Sequence, residues 1–177
     1  MKTKLFTLAL LSLSLTACSG AQDTDDTDDG TDVGTDVDTE TDTEPSEADV
    51  LLTALLAKND TGDVDEAGDF DDWLEITNVG TATADLSGWG LTDGYPDETP
   101  WRFPDDTLLE AGDTVRVWAD EDPDDGPLHA DFKLSGDGET LTLLDSDDVV
   151  IDEVTFPALG DDEVYARQED GTWAIAE

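Results

Sequence analysis

Asp71-Asp72-Trp73-Leu74-Glu75-Ile76-Thr77-Asn78, followed by Leu86-Ser87-Gly88-Trp89-Gly90-Leu91-Thr92-Asp93, is the stretch that decides the fold. Leu74 and Ile76 alternate with Glu75 and Thr77, the period of two expected of a strand with one face in a core and one in water. The second run, punctuated by Gly88 and Gly90, predicts another strand after a turn. Working outward, Val115 and Val117 alternate with Arg116 and Trp118 across residues 114–119, while 140–144 and 149–156 make a pair joined by Asp145-Ser146-Asp147-Asp148. Residues 50–57 are apolar enough for a first strand, although their Leu and Ala content would also suit a helix. Turn signals at Gly112, Asp125-Gly126, Gly136 to Gly138 and Pro157 separate these runs. Short strands at about ten-residue spacing predict an all-β sandwich or barrel. The roughly 125 residues from Val50 onward suffice for one such core and not two.

These segments resemble the lamin-tail domain, which occurs in nuclear lamins and on bacterial surface proteins. Beyond the opening motif the likeness runs in order through Trp101-Arg102-Phe103-Pro104, Leu109-Glu110-Ala111-Gly112-Asp113, 129–135, Gly138-Glu139-Thr140-Leu141, 149–152 and 154–157. The resemblance implies an immunoglobulin-like β-sandwich over 50–177, serving as a structural or protein-interaction module. Acid-dense loops, especially 60–72 and 120–125, depart from the family pattern. Trp73, Trp89 and Trp101 are expected in the core, where such rings bury large apolar areas. Trp118, alternating with the valines, could equally face outward and stack on a sugar.

The N-terminal part reads as an address. Lys2 and Lys4 precede the apolar run 5–15, and Leu15-Thr16-Ala17 leads into Cys18, the only cysteine. Residues 1–17 therefore read as a signal peptide, too short for a comfortable membrane span. The ending resembles the bacterial lipobox, which implies diacylglyceryl transfer to Cys18. A lone cysteine has no disulfide partner within the chain. Each buried CH2 of an acyl chain contributes about 0.8 kcal/mol, so two or three chains hold a protein stably at a membrane surface. By resemblance to Gram-negative lipoproteins, Ser19 directs the product to the outer membrane or cell surface.

Residues 18–49 carry 13 of the chain's 48 acidic residues and no Lys or Arg. With Val33 and Val37 as the only large apolar side chains, this segment is expected to remain a disordered linker. A flexible coil of that length spans about 30 Å, and self-repulsion lengthens it. The whole chain carries a formal charge of −41, and from Val50 onward 35 acids face five bases. Such a surface argues against nucleic acid, whose binding needs cationic neutralisation. Membrane contact is expected through the lipid alone, leaving proteins or glycans of the cell envelope as partners.

Catalytic chemistry finds little support. A base tuned near neutrality is most often histidine, and the single one, His129, lies in a segment whose expected role is packing or capping. No Cys/His zinc spacing and no phosphate loop occur. Calcium is the one cofactor the residues suggest: Asp63, Asp65, Asp69 and Asp71 stand at alternating positions around Gly68, although Ala67 breaks an EF-hand pattern. Residues 120–125 are a weaker candidate, and Asp25 to Gly30 is weaker still, because Thr27 stands at a ligand position. The leading expectation is a non-catalytic, lipid-anchored envelope protein displaying this domain. The alternative is a calcium-dependent adhesion or glycan-binding module. A hydrolase fits poorly, since no separate catalytic domain is present.

Overall fold

The alternation of Leu74 and Ile76 with Glu75 and Thr77 is realised as a central strand. The computed structural model describes residues 47–176; the expectations for the signal peptide, Cys18 and the linker up to residue 46 lie outside them. Among the described residues every regular element is a strand: β1 (Val50–Leu56), β2 (Trp73–Asn78), β3 (Ala84–Asp85), β4 (Gly90–Thr92), β5 (Trp101–Arg102), β6 (Leu108–Leu109), β7 (Thr114–Ala119), β8 (His129–Ala130), β9 (Thr140–Leu144), β10 (Val150–Thr155), β11 (Tyr165–Arg167) and β12 (Trp173–Ile175). One sheet has the order β12-β11-β1-β2-β7-β8 and a second β10-β9-β4-β5, with β3 and β6 forming a small pair. Among the described strands only β7 and β8 run parallel.

The two sheets meet over one core. Leu52 and Leu55 of β1, Leu74 and Ile76 of β2 and Val117 of β7 face Leu91, Trp101, Leu141, Leu143 and Val154 of the second sheet. Removing a leucine or isoleucine side chain of this kind from water contributes about 1.5–3 kcal/mol. Of residues 50–57, ambiguous by composition, Val50–Leu56 form a strand, its inner face in the main core and Ala54 and Leu56 covered on the outer face. A bulge at Thr53 shifts the β1–β2 register between Leu52 and Ala54, so Leu52 and Leu55 both point inward.

Three polar devices hold the frame. Asn78 is fully buried; its side-chain amide donates to the Ala82 carbonyl at 2.7 Å and the Leu109 carbonyl at 2.9 Å, and its oxygen accepts from the Gly80 amide at 3.1 Å. The segment before β1 crosses this turn, where the Thr81 amide donates to the Glu47 carbonyl at 2.8 Å. A Cβ on Gly80 would stand 2.3 Å from that same carbonyl oxygen, so only glycine permits the crossing. Finally, β11 pairs with β1 only at Ala54 and Leu55. The Leu52 backbone beyond the bulge is served instead by side chains: Asp152 of β10 accepts its amide at 2.9 Å, Arg167 of β11 donates to its carbonyl at 2.9 Å, and the two side chains form an ion pair.

Trp101 and Phe103 meet edge to face in the core with ring centres 4.9 Å apart, and Trp89 packs against it half-buried. Trp118 follows its alternation onto the outer face of the large sheet yet is buried there. It sits directly opposite Trp73 and shares a second apolar cluster with Ala54 and Leu56. Trp73 thus joins this outer cluster instead of the main core. Arg116 lies over both indoles, 4.1 Å from the Trp73 ring centre and 5.6 Å from that of Trp118.

Candidate functional site

Strand register brings the acidic loops together. Leu56 ends β1 opposite Trp73, and Trp73 starts β2 opposite Trp118 near the end of β7. The loops 57–72 and 120–128 therefore leave the large sheet at the same end. Asn59 gathers the first loop: its side-chain amide donates to the carbonyls of Asp63 at 2.6 Å and Asp71 at 2.8 Å, and its oxygen accepts from Gly62 at 3.0 Å. Asp65 then organises a tight turn, one carboxylate oxygen accepting from the amides of Gly68 at 2.7 Å and Asp69 at 2.8 Å. Gly68 takes φ +94° there, a conformation glycine adopts without steric cost. In the second loop, Asp120 Oδ1 accepts from the Asp122 amide at 2.9 Å.

His129 stands where the loops meet. The parallel pairing of β8 with β7 sets it beside Trp118, on whose ring it stacks at 6.5 Å between centres. It is fully buried, with Nδ1 bonded to Asp120 Oδ2. Its Nε2 lies 3.5 Å from Glu66 Oε1 and makes no hydrogen bond. The second carboxylate oxygen of Asp65, a residue only 7 % exposed, is likewise buried without a partner. One ligand atom each from Asp65, Glu66 and His129 lies within 4.8 Å of the other two.

Electrostatics follow from this crowding. Asp71 is raised above the ordinary carboxylate value by burial and by the charges of Asp120, Asp65 and Asp69. Asp125 is raised chiefly by Asp122, then by burial and Asp120. Asp65 is held low by the amides of Asp69 and Gly68, against the opposing effect of burial. For His129, burial works against protonation, but the hydrogen bond and charge of Asp120 and the charge of Glu66 prevail, so its value is raised. The cluster concentrates negative charge around a single imidazole.

A sequence model of the Lamin Tail Domain family matches residues 43–158. The chain belongs to the lamin tail domain family. A comparison with curated proteins returned no match. The lamin tail match ends before β11 and β12, although both extend the large sheet beyond β1.

Of the four aspartates suggested by spacing, the lamin tail framework turns Asp65 into the cluster. Asp69 and Asp71 stay within electrostatic reach of it. Asp63 goes elsewhere, accepting from Arg116 at 2.7 Å. The second acidic stretch supplies Asp120 and Asp125, so both loop candidates converge on one place. Glu66 and His129 complete the group and were not among the residues spacing picked out. The available signal was the lone histidine itself, placed just after an acidic loop in a chain with 48 acids.

Proposed function

We propose that this protein is a lipid-anchored envelope protein that displays its lamin tail domain as a non-catalytic interaction module. The observation that carries the anchor is Leu15-Thr16-Ala17-Cys18 behind a basic and then apolar N-terminus, with Cys18 the only thiol in the chain. The acidic segment that follows suits a tether, because like charges and scarce apolar surface favour an extended coil. Among the described residues no helix is long and apolar enough to cross a membrane.

For the displayed domain, support comes from where its few cations go. Arg102 pairs with Asp148, Arg116 with Glu75 and Asp63, Lys133 with Glu121 and Arg167 with Asp152, while Lys58 donates to the Leu159 carbonyl. The surface offered to partners is therefore anionic, which suits basic protein patches or neutral glycans and disfavours phosphate backbones. The histidine, fully buried and bonded to Asp120, is poorly placed to act as a base on an external substrate. Palmitate labelling with membrane fractionation tests the anchor. The native chain should carry label and sediment with membranes, and a Cys18→Ser variant should be unlabelled and soluble. A variant that still partitions with membranes would overturn the lipid reading.

A further inference from the structure

We propose that Asp65, Glu66 and His129 form a binding site for a zinc-class divalent metal ion, with Asp120 as the group that orients the imidazole. One carboxylate oxygen of Asp65 and Nε2 of His129 are each buried without a hydrogen-bond partner, and these two residues and Glu66 each bring a ligand atom within 4.8 Å of the others. Each such group costs free energy unless something satisfies it. A single cation between them, with Glu66 as third ligand, resolves both.

The arrangement matches what such an ion needs. Zinc binds imidazole nitrogen and carboxylate oxygen at about 2.0–2.2 Å, which sets ligand atoms about 3.3–3.6 Å apart around a tetrahedron. The 3.5 Å between His129 Nε2 and Glu66 Oε1 has that length and is poor for a hydrogen bond. On the far side of the ring, Nδ1 is bonded to the Asp120 carboxylate. Carboxylate–histidine pairs of this type fix the tautomer that leaves Nε2 free to coordinate, and they raise the ligand's basicity. Asp120, Asp125 and His129 make another triplet within the same 4.8 Å limit, but Asp120 is already committed to Nδ1. Calcium, which prefers six to eight oxygen ligands, fits a nitrogen-containing set less well. Gly126 leaves the approach open: a Cβ there would lie 3.0 Å from Glu66 Oε1 and 3.2 Å from His129 Nε2. Bound in this way, the ion ties loop 57–72 to the start of β8 across about sixty residues of sequence.

The test uses the full chain in mild detergent, stripped with chelator and titrated with Co2+ in salt and excess Mg2+ to suppress loose binding to the acidic surface. One equivalent of Co2+ should develop the intense visible bands of a low-coordinate nitrogen/oxygen site. One equivalent of Zn2+ should erase them, and millimolar Ca2+ should not. Glu66→Gln, at an exposed position that leaves the fold intact, should weaken Zn2+ binding more than about tenfold, and Asp120→Asn by about tenfold. Several weak equivalents without visible bands, unchanged in Glu66→Gln, would overturn the proposal and leave a water or an imidazolium bridge in the cluster. Displacement of Co2+ by Ca2+ would overturn it in favour of an oxygen-ligated calcium site.

Discussion

Replacing Asn78 by aspartate changes one NH2 group to oxygen and almost nothing in volume, so it isolates what the buried amide does. Asn78 is fully buried, and its amide is the donor to two carbonyls, those of Ala82 and Leu109. Asn78→Asp removes both hydrogen bonds and sets a carboxylate against two carbonyl oxygens. Each buried partner left unsatisfied costs about 1–3 kcal/mol, and the two together about 3–5 kcal/mol at neutral pH. That is a large fraction of a typical domain's stability and corresponds to a melting point about 10–20 °C lower. The substituted carboxyl is buried, so its pKa is raised in the native state. The variant's native state then binds more protons than its unfolded state, and the deficit relative to the native sequence shrinks as pH falls. Urea unfolding at neutral pH and near pH 4.5 would measure both effects. A deficit below about 1 kcal/mol at neutral pH, or one that does not narrow on acidification, would refute the assignment of Asn78 as the donor joining the 79–82 turn to the β6 end.

Two further outcomes follow from the frame. Arg167→Met or Asp152→Leu strands a partly buried charge and half of the Leu52 backbone pairing, so each should cost about 2–4 kcal/mol in chemical unfolding; the double variant should cost less than the sum, and strict additivity would refute the clamp. In thermal melts across pH with chelator present, these groups should place the stability maximum near the ordinary carboxylate value of about 4. Asp72 and Glu139 are raised mainly by burial, so the native state takes up their protons first, and stability falls as pH rises through those values. Asp162 and Asp85 are depressed, chiefly by hydrogen bonds from Thr61 and Ser87 respectively; their contribution is present above the ordinary carboxylate value and is lost as pH falls below it. A melting point that rises as pH climbs above the ordinary carboxylate value would contradict the sign for Asp72 and Glu139, and one that does not drop as pH falls below it would contradict the sign for Asp162 and Asp85.

Strand type was legible where it depends on backbone geometry alone. Side chains of an extended chain alternate faces every residue, so Leu74/Ile76 and Val115/Val117 announced β2 and β7, and 140–144 emerges with the same bounds it had in the sequence. The two-residue strands β3, β5, β6 and β8 were not legible, because two residues show no period and exist only through partners supplied by the fold. Trp118 shows the same division. Its alternation left core and outward readings open; the outer face and the burial there were decided by Trp73 across the ladder and by Ala54 and Leu56 of β1.

The acidic composition and the Cys18 motif are local facts, and the sequence alone carries them. The candidate site is not local. Spacing found both acidic loops but treated them as alternatives, since nothing in 63–72 reports on 120–129. Only the β1–β2–β7–β8 register decides that they leave the sheet at one end and that Glu66, Asp65 and Asp120 surround the same imidazole. Burial there turns ordinary surface carboxylates into groups that must find a partner, because an unpaired polar atom is costly only once water is excluded.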